Sequence, residues 1–297
     1  MAGFIYKALV QAGTILLRRD LAFTLLRIIQ FILSIKVFPL AWHIRNYYSY
    51  VFQYMTDKRP IPESTLSHLT LFQPTIWTST TPLGEIDIMG HKSNSTYFTD
   101  CDAARSYHMC SLFREGLRSW SKRGLSIINP GQREGNENEP FYPAVGAVGC
   151  SFRKAILPGQ RYDIATQILS WDEKWVYFIS YFVQEGAFNP IYFSDRPKNT
   201  GISMDLQYSQ GHKKDSAVLA ISIACVVFKK GRKTVPPTHF FQECGCLPRD
   251  VDGEKSKLLS AIEERRLQGI ELAKKINCFD QGLSLFDIDN RTAYAKF

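Results

Sequence analysis

One stretch decides the fold of this chain: Glu85-Ile86-Asp87-Ile88-Met89-Gly90-His91-Lys92-Ser93-Asn94-Ser95-Thr96-Tyr97. It follows Thr75–Thr80, a segment rich in β-branched residues that predicts a strand. The chain from Asn94 to about Arg118 contains a single glycine near its end and predicts a long helix, with Ser93 or Asn94 as its N-cap. One side of this helix carries Tyr97, Cys101, Ala104 and His108. The quoted stretch is therefore predicted to be a loop that leads from a strand into a long helix.

The chain beyond this helix alternates between polar loops and predicted strands. Polar residues over 129–140 and 185–215 indicate irregular connections, and Asp172–Lys174 indicates a hairpin turn. An amphipathic helix is predicted at the C-terminal end, over residues 253–277. The predicted strands are residues 144–156, 162–171, 175–184 and 217–229. The order of strand, long helix and antiparallel meander predicts an α+β fold in which one sheet wraps around one central helix.

The N-terminal segment, residues 1–55, is an apolar leader with a helical pattern. Asp20, Arg27 and Ser34 recur every seven residues and form one polar stripe, and no clean membrane-spanning run exists. Three hypotheses fit: a helix in a membrane interface or a weak anchor, a helix packed on the protein's own core or on a dimer partner, and a cleaved signal peptide. The last is disfavoured because Arg18-Arg19 interrupts the apolar stretch. The predicted organisation is a leader (1–55), a linker (56–75), a core domain (76–240) and a C-terminal extension (241–297).

Charge and cysteine content restrict the partners and the compartment. The net charge is +8, and part of it lies in short basic clusters. These clusters favour solubility, or they attract anionic lipid or a phosphate-bearing acyl carrier such as coenzyme A. Nucleic acid is not expected as a partner, because no aromatic–basic interleaving accompanies the charge. The seven cysteines include no C-x-x-C pair, so we expect reduced, mostly buried thiols, no metal site and contact with the cytosol.

Three landmarks in this order resemble the hotdog-fold thioesterases, and most closely their 4-hydroxybenzoyl-CoA thioesterase branch. They are the loop and helix start over 85–97, the turn at Pro158-Gly159, and the segment Val226–Pro236. The loop of that branch reads D-x-D-x-x-G-H-x-N-N-x-x-Y, and here Glu85 and Ser93 replace its first aspartate and its first asparagine. The apolar leader is similar to that of membrane-associated thioesterase-like proteins of animals and of thioesterases from fungal secondary-metabolite clusters.

The resemblance implies hydrolysis of an acyl thioester, carried by coenzyme A or an acyl carrier protein, in secondary-metabolite or lipid biosynthesis. It assigns Asp87 as general base or nucleophile, and backbone amides at the helix start as the oxyanion hole. His91 donates to the carbonyl or orients Asp87, and Asn94 fixes the loop. Gly90, Ser93 and Tyr97 are the expected substrate-binding residues. No metal or cofactor is required.

Each of these residues also has a purely structural interpretation. Asp87 fits a turn, His91 fits a structural contact, and Asn94 fits a helix cap.

Glu85 lies two residues before Asp87, so in an extended segment the two side chains point the same way. We expect Glu85 to be a solvated carboxylate, with a second catalytic acid as the alternative. Asp100 lies in an early turn of the helix, where the helix dipole favours a negative charge.

The long helix carries other reactive groups. Cys101, His108 and Cys110 are expected in the core, and a Cys–His nucleophile pair is the alternative. No G-x-S-x-G sequence is present, which disfavours a serine α/β-hydrolase.

At the level of assembly, a homodimer with its sites at the interface is expected, because one helix under one open sheet leaves an edge and a cleft to cover. We expect the protein on the cytoplasmic side of a membrane, attached through its leader. Two other functions remain open at this point: a hotdog dehydratase or lyase acting on hydroxyacyl thioesters, and a non-catalytic, membrane-associated acyl-binding protein.

Overall fold

The computed structural model describes residues 18, 21–29, 31, 35–51, 69–114, 116–117, 141–188, 215–248 and 254–276. Helices and strands are numbered in chain order. They are α1 (Ala41–Ser49), β1 (Thr75–Thr80), α2 (Asn94–Leu112), β2 (Phe141–Phe152), β3 (Arg161–Trp171), β4 (Trp175–Gln184), β5 (Val218–Lys230), β6 (Lys233–Val235), α3 (Pro237–Glu243) and α4 (Glu254–Lys274).

The strands form one antiparallel sheet in the order β1-β3-β4-β5-β2, with the short β6 paired to β5. The long helix α2 follows β1 in the chain and packs on β1 and β3. A central helix wrapped by a curled antiparallel sheet is the hotdog fold, so the predicted α+β fold class is confirmed. The strands of the meander also fall close to their predicted positions.

Both faces of the central strands β3, β4 and β5 are buried, which explains the long apolar runs of β4 and β5. Phe178 and Phe182 of β4 point to the α2 side, where they contact the rings of residues on α2. Tyr177 and Ile179 alternate with them and pack on the opposite face with Ile270 of α4. Because successive strand residues face opposite sides, a strand between two helices reads as a continuous apolar run.

Two elements differ from the prediction for identifiable reasons. The regular part of α2 ends at Leu112, because Phe113 leaves the helical conformation (φ −100°, ψ 13°), and residues 114, 116 and 117 beyond it are helical again, close to the predicted end. The Phe113 ring then packs against Phe228 and against Phe240 of α3. Helix α3 itself was not predicted. Its first residue is Pro237, and proline is well tolerated at the first helical position.

Residues 35–51 of the N-terminal segment pack on the protein's own core. Trp42 Nε1 donates to Asp102 on α2 over 3.1 Å, and the Ser106 hydroxyl donates to Asn46 Oδ1 over 2.6 Å. Farther upstream, residues 21–29 are helical and every one of them is exposed. Among the helices in the described ranges, none is both long enough and apolar enough to cross a membrane.

Several predicted segments fall wholly or largely outside the described residues. They are the start of the leader (1–17), most of the linker (52–68), the loop over 118–140, most of the irregular stretch (189–214) and the end of the C-terminal extension (277–297). The domain boundaries placed near residues 55, 75 and 240 therefore stay predictions.

Candidate active site

Residues 87–91 form a tight hairpin between β1 and α2. The Asp87 N–H donates to the His91 carbonyl over 2.9 Å, and the Gly90 N–H donates to the Asp87 carbonyl over 3.0 Å. Gly90 has φ +81°, a conformation that glycine adopts without strain. An aspartate at the first turn position and a glycine at the fourth is a common turn sequence. The hairpin therefore follows from local sequence.

The Asp87 carboxylate uses its two oxygens differently. Oδ1 accepts the backbone N–H of Met89 at 2.9 Å and that of His91 at 3.5 Å. Oδ2 lies 3.3 Å from Nδ1 of the His91 imidazole, and both side chains are about one third exposed, at 27% and 35%. The loop thus fixes one oxygen and leaves the other beside an imidazole and open to a ligand.

The start of α2 provides hydrogen-bond donors next to this hairpin. Ser93 occupies the N-cap position, but its side chain makes no capping hydrogen bond and instead contacts the Ser95 hydroxyl at 3.1 Å. The Thr96 N–H donates to the Ser93 carbonyl. For the N–H groups of Asn94 and Ser95, the described part of the chain supplies no acceptor. Unpaired N–H groups at a helix start attract negative charge, as an oxyanion requires.

The six predicted site residues do not all share one environment. Asp87, Gly90, His91 and Ser93 lie together on the loop, and the Asn94 side chain is exposed at the first position of α2. Asn94 is not the N-cap, because Ser93 holds that position. The remaining residue, Tyr97, is only 2% exposed and packs against the rings of the buried Phe182 and the exposed Phe152. Burial raises the pKa of Tyr97 to about 12. Its assignment to substrate binding stays a prediction.

Behind the hairpin lies a group of five charged residues, three buried and two half-buried, that the sequence did not predict. We call it the charge cluster: Lys36, Arg45, Glu85, Lys92 and Asp100. The Lys92 side chain is completely buried, and its Nζ lies 2.5 Å from Glu85 Oε2 and 2.9 Å from Asp100 Oδ2. Arg45 Nη2 lies 2.7 Å from Asp100 Oδ1. The charge cluster joins the N-terminal segment, the loop and α2.

Asp100 is the centre of the charge cluster and is fully buried. Burial on its own raises the pKa of a carboxyl group, but the charges of Lys36, Lys92 and Arg45 outweigh it here. A hydrogen bond from the Tyr162 hydroxyl acts in the same direction. The pKa of Asp100 is therefore held well below its usual range, and the residue is a carboxylate at neutral pH.

The expectation for Glu85 is wrong. Its side chain is only 3% exposed and is paired with Lys92 and Lys36, so it is not a solvated carboxylate. Leu83–Glu85 forms a 3-10 turn instead of the expected extended segment. The sequence did contain one indication of the charge cluster. Asp100 lies on the buried side of α2, and a buried carboxylate requires cations nearby.

The Cys–His nucleophile pair is also not supported. His108 is buried, with Nδ1 3.1 Å from the Thr75 hydroxyl, and burial lowers its pKa to about 3. Burial raises the pKa of Cys101 to about 12 and that of Cys110 to about 11. The imidazole is therefore neutral and both sulfurs are thiols at neutral pH, so no thiolate–imidazolium pair forms.

Comparison with known proteins shows the family of the chain. The family model described as "Thioesterase-like superfamily" matches residues 81–243. A probable thioesterase, atnL, of Emericella nidulans is 33% identical over 260 residues, which cover 83% of this chain and 82% of that protein. The thioesterase poxG of Penicillium oxalicum is 32% identical over 268 residues, covering 86% and 83% of the two chains. A 1,4-dihydroxy-2-naphthoyl-CoA thioesterase from Synechocystis aligns with 60% of this chain and 99% of its own, at 13% identity and a TM-score of 0.34.

Proposed function

Because the chain belongs to the thioesterase-like superfamily, we propose that the hairpin and the first turn of α2 form its catalytic site. The enzyme is a thioesterase, a hydrolase that acts on acyl thioesters. One observation carries the assignment of Asp87. Its Oδ1 is held by loop N–H groups, while Oδ2 stays accessible beside His91 and close in sequence to the unpaired N–H groups at the start of α2.

In the general-base form of the reaction, Asp87 Oδ2 accepts a proton from a water molecule while the water oxygen bonds to the thioester carbonyl carbon. The oxyanion that forms accepts hydrogen bonds from the Asn94 and Ser95 N–H groups. Its collapse breaks the C–S bond, and the departing thiolate takes the proton from Asp87. The products are a carboxylic acid and a thiol.

In the nucleophilic form, Asp87 itself attacks the carbonyl carbon and expels the thiolate, which takes a proton from water. Water then hydrolyses the mixed anhydride to the carboxylic acid and restores the Asp87 carboxylate. Both forms need the carboxylate in one orientation. The contact between Asp87 Oδ2 and His91 Nδ1 supports His91 as the residue that orients it.

The decisive experiment measures thiol release from a panel of acyl-CoA thioesters. Asp87→Asn preserves the shape of the side chain and removes its basicity, so we expect kcat to fall by about 100-fold to 10,000-fold. Glu173→Gln, in the exposed turn between β3 and β4, is the control for loss of one carboxylate. Equal thiol release by wild type and Asp87→Asn would show that the catalytic assignment is wrong.

For the carrier, we propose a phosphate-bearing thiol, either coenzyme A or the prosthetic group of an acyl carrier protein. Arg153 is exposed just after β2, three residues before Ile156, whose carbonyl accepts the Lys92 N–H over 2.8 Å. An exposed cation so close in sequence to the loop anchor supports recognition of phosphate. Arg153→Ala is expected to raise KM for acyl-CoA and to leave KM for an acyl-pantetheine unchanged. Equal effects on both substrates would contradict this proposal.

We also propose a homodimer formed through β2. Strand β2 is 12 residues long and, among the described strands, pairs only with β5. Pro143 lacks an N–H yet lies within β2, so the backbone nitrogens of residues 143 and 145 face away from β5. An open edge of this length favours pairing with a second copy. Ile88 and Met89 of the hairpin are also exposed.

Sedimentation equilibrium tests the dimer. Val145→Pro removes an outward N–H and is expected to raise the dimer dissociation constant at least tenfold. Val145→Ala shortens the same side chain, keeps the N–H and is the matched control. A wild-type protein that sediments as a monomer at micromolar concentration would overturn the proposal.

We further propose that the N-terminal segment attaches the protein to the cytoplasmic side of a membrane. All of residues 21–29 are exposed, among them Phe23, Leu25 and Leu26. An open groove of about 880 Å³ lies beside α1, lined largely by apolar and aromatic residues between Leu40 and Val51. A helix with no buried face, next to exposed aromatic rings, is typical of segments that lie in a lipid interface.

Flotation with vesicles of phosphatidylcholine and phosphatidylserine tests this attachment. Wild type is expected to float with the vesicles, and the variant Leu25→Glu/Leu26→Glu is expected to stay in the dense fraction. Leu267→Glu, at an exposed leucine of α4, controls for added negative charge. Wild-type protein that remains in the dense fraction would rule out membrane attachment.

A further inference from the structure

The N-terminal segment supplies two of the three cations in the charge cluster. Without Lys36 and Arg45, two buried carboxylates, Glu85 and Asp100, would share the single ammonium of Lys92. Both carboxylates are at most 3% exposed, so water does not compensate their charge. A buried carboxylate without a full partner is strongly unfavourable. The charge balance behind the loop therefore depends on a segment about 50 residues upstream.

Lys36 is the residue that bridges the charge cluster. Its Nζ lies 3.0 Å from Glu85 Oε2 and 2.9 Å from Asp100 Oδ1. It also donates to the Thr80 carbonyl at the end of β1 over 3.0 Å and to the Tyr162 hydroxyl over 3.1 Å. An ammonium group has only three N–H donors, so four acceptors within reach satisfy it fully. One side chain thus ties together β1, the loop, α2 and β3.

The charge cluster holds both sides of the catalytic hairpin. Glu85 lies two residues before Asp87, and its carbonyl accepts the Ser93 N–H over 2.7 Å. Lys92 directly follows His91, and its backbone pairs with Ile86 across the base of the hairpin. Movement of either Glu85 or Lys92 therefore shifts the backbone on which Asp87 and His91 are carried.

We propose that Lys36 and Arg45 are positioning residues for thioester hydrolysis, and that docking of the N-terminal segment fixes the catalytic hairpin by completing the charge cluster. This inference rests on the proposed function of Asp87. Lys36 and Arg45 touch neither the hairpin nor a substrate; they act through Glu85, Asp100 and Lys92. The N-terminal segment is then part of the enzyme's catalytic apparatus as well as a leader.

The experiment compares variants of the full chain that differ only in charge. Lys36→Met/Arg45→Met removes both cations and keeps side chains of similar length. Lys36→Arg/Arg45→Lys keeps both charges. Asn46→Ala removes the 2.6 Å hydrogen bond from Ser106, keeps all five charges of the cluster, and so controls for the loss of one neutral contact of α1. Circular dichroism verifies that each variant is folded, and Lys36→Met alone replaces the double variant if the latter is insoluble.

Steady-state kinetics and amide exchange are the first readouts. Lys36→Met/Arg45→Met is expected to lower kcat at least tenfold with KM changed less than threefold, and to speed exchange of the Met89 and His91 amides. The charge-preserving variant and Asn46→Ala are expected to stay within about threefold of wild type. Unchanged kcat and unchanged amide exchange in the double Met variant would overturn the proposal.

The pH dependence separates a charge effect from a simple loss of docking. The ionisable groups that meet at this point are Lys36, Arg45, Glu85, Lys92, Asp100 and Tyr162. In Lys36→Met/Arg45→Met, the pKa of Asp100 is no longer lowered by these two charges, and a proton taken up by Asp100 replaces one of the two missing positive charges. The activity of the variant relative to wild type is therefore expected to rise as the pH falls from about 8 to about 5.5. A ratio that is constant with pH would overturn the proposal.

Failure of this inference is distinguishable from failure of the proposed function. If Asp87→Asn is fully active, the catalytic assignment of Asp87 is wrong whatever the Lys36 variants do. The exchange of the Met89 and His91 amides reports on the position of the hairpin without any substrate. Wild-type exchange rates in the double Met variant would therefore refute the positioning role on their own.

Discussion

At the scale of single residues, Gly90 supplies a backbone conformation and nothing else. Its φ is +81°, and a Cβ at this position would meet no atom within 4 Å. An L-residue other than glycine is strained by about 1–2 kcal/mol in this region. Relief of that strain requires a different turn, and a different turn moves Asp87 away from the start of α2.

Gly90→Ala is therefore expected to lower kcat about tenfold or more and to destabilise the fold by about 1–2 kcal/mol. Steady-state kinetics and urea unfolding measure the two effects. Gly245→Ala is the matched control, since Gly245 has φ +72° and equally open surroundings but lies after α3. It is expected to lose similar stability and to keep wild-type kcat. An equal fall in kcat for both variants would show that the effect is general instead of local to the hairpin.

The residues of the hairpin could be predicted from sequence, because a turn is set by residues adjacent in the chain. Asp87 and Gly90 occupy the positions that such a turn favours. The burial of Glu85 could not be predicted in this way. Its partners include Lys36, 49 residues away, and no local pattern records a contact over that distance.

At the scale of elements, α4 covers the face of the sheet opposite α2. The contact is close at Gly269, where a Cβ would lie 2.2 Å from the Leu169 carbonyl oxygen of β3. Nearby, the Ser170 hydroxyl donates to the Arg266 carbonyl over 2.7 Å. Helix α4 thus approaches the β3 backbone at a distance that only glycine allows.

Gly269→Ala is expected to destabilise the protein by about 1–3 kcal/mol, measured as a lowered thermal or urea midpoint. The sign is informative, because alanine in place of glycine within a helix otherwise stabilises by about 1 kcal/mol. Gln268→Ala, at the exposed neighbouring position, is the control and is expected to be neutral or slightly stabilising. A stabilising Gly269→Ala would show that α4 does not pack on β3 in this way.

The amphipathic pattern of α4 and the long apolar run of β5 were both sufficient to predict these elements. Which face of the sheet α4 covers was not predictable, because an apolar strand with both faces buried carries no mark of what lies on each side. The interruption of the helix at Phe113 was missed for a related reason. The Phe113 ring turns towards Phe228 and Phe240, residues more than 100 positions later in the chain.

At the scale of the whole molecule, two buried ionisable groups on α2 give acid sensitivity of different origin. Asp100 has a lowered pKa in the folded protein, so its charge contributes to the free energy of unfolding at any pH above the ordinary carboxyl pKa. This contribution is lost only as the pH falls below that ordinary value. His108 behaves differently. Burial lowers its pKa from 6.5 to about 3, so the unfolded chain binds a proton between these values that the folded protein does not. Stability therefore falls as the pH decreases from about 6.5 towards 3, before Asp100 contributes.

The loss between about pH 7.5 and about pH 5 is expected to be about 2 kcal/mol larger in wild type than in His108→Gln. Glutamine cannot take up a proton in the unfolded chain, yet its amide can still hydrogen-bond the Thr75 hydroxyl. Urea unfolding at the two pH values measures the difference. His43→Gln, at an exposed position of α1, is the control and should follow wild type. An equal loss of stability in His108→Gln and wild type would contradict this prediction. It would mean that His108 takes up its proton in the folded protein as well, and that water reaches the buried side of α2.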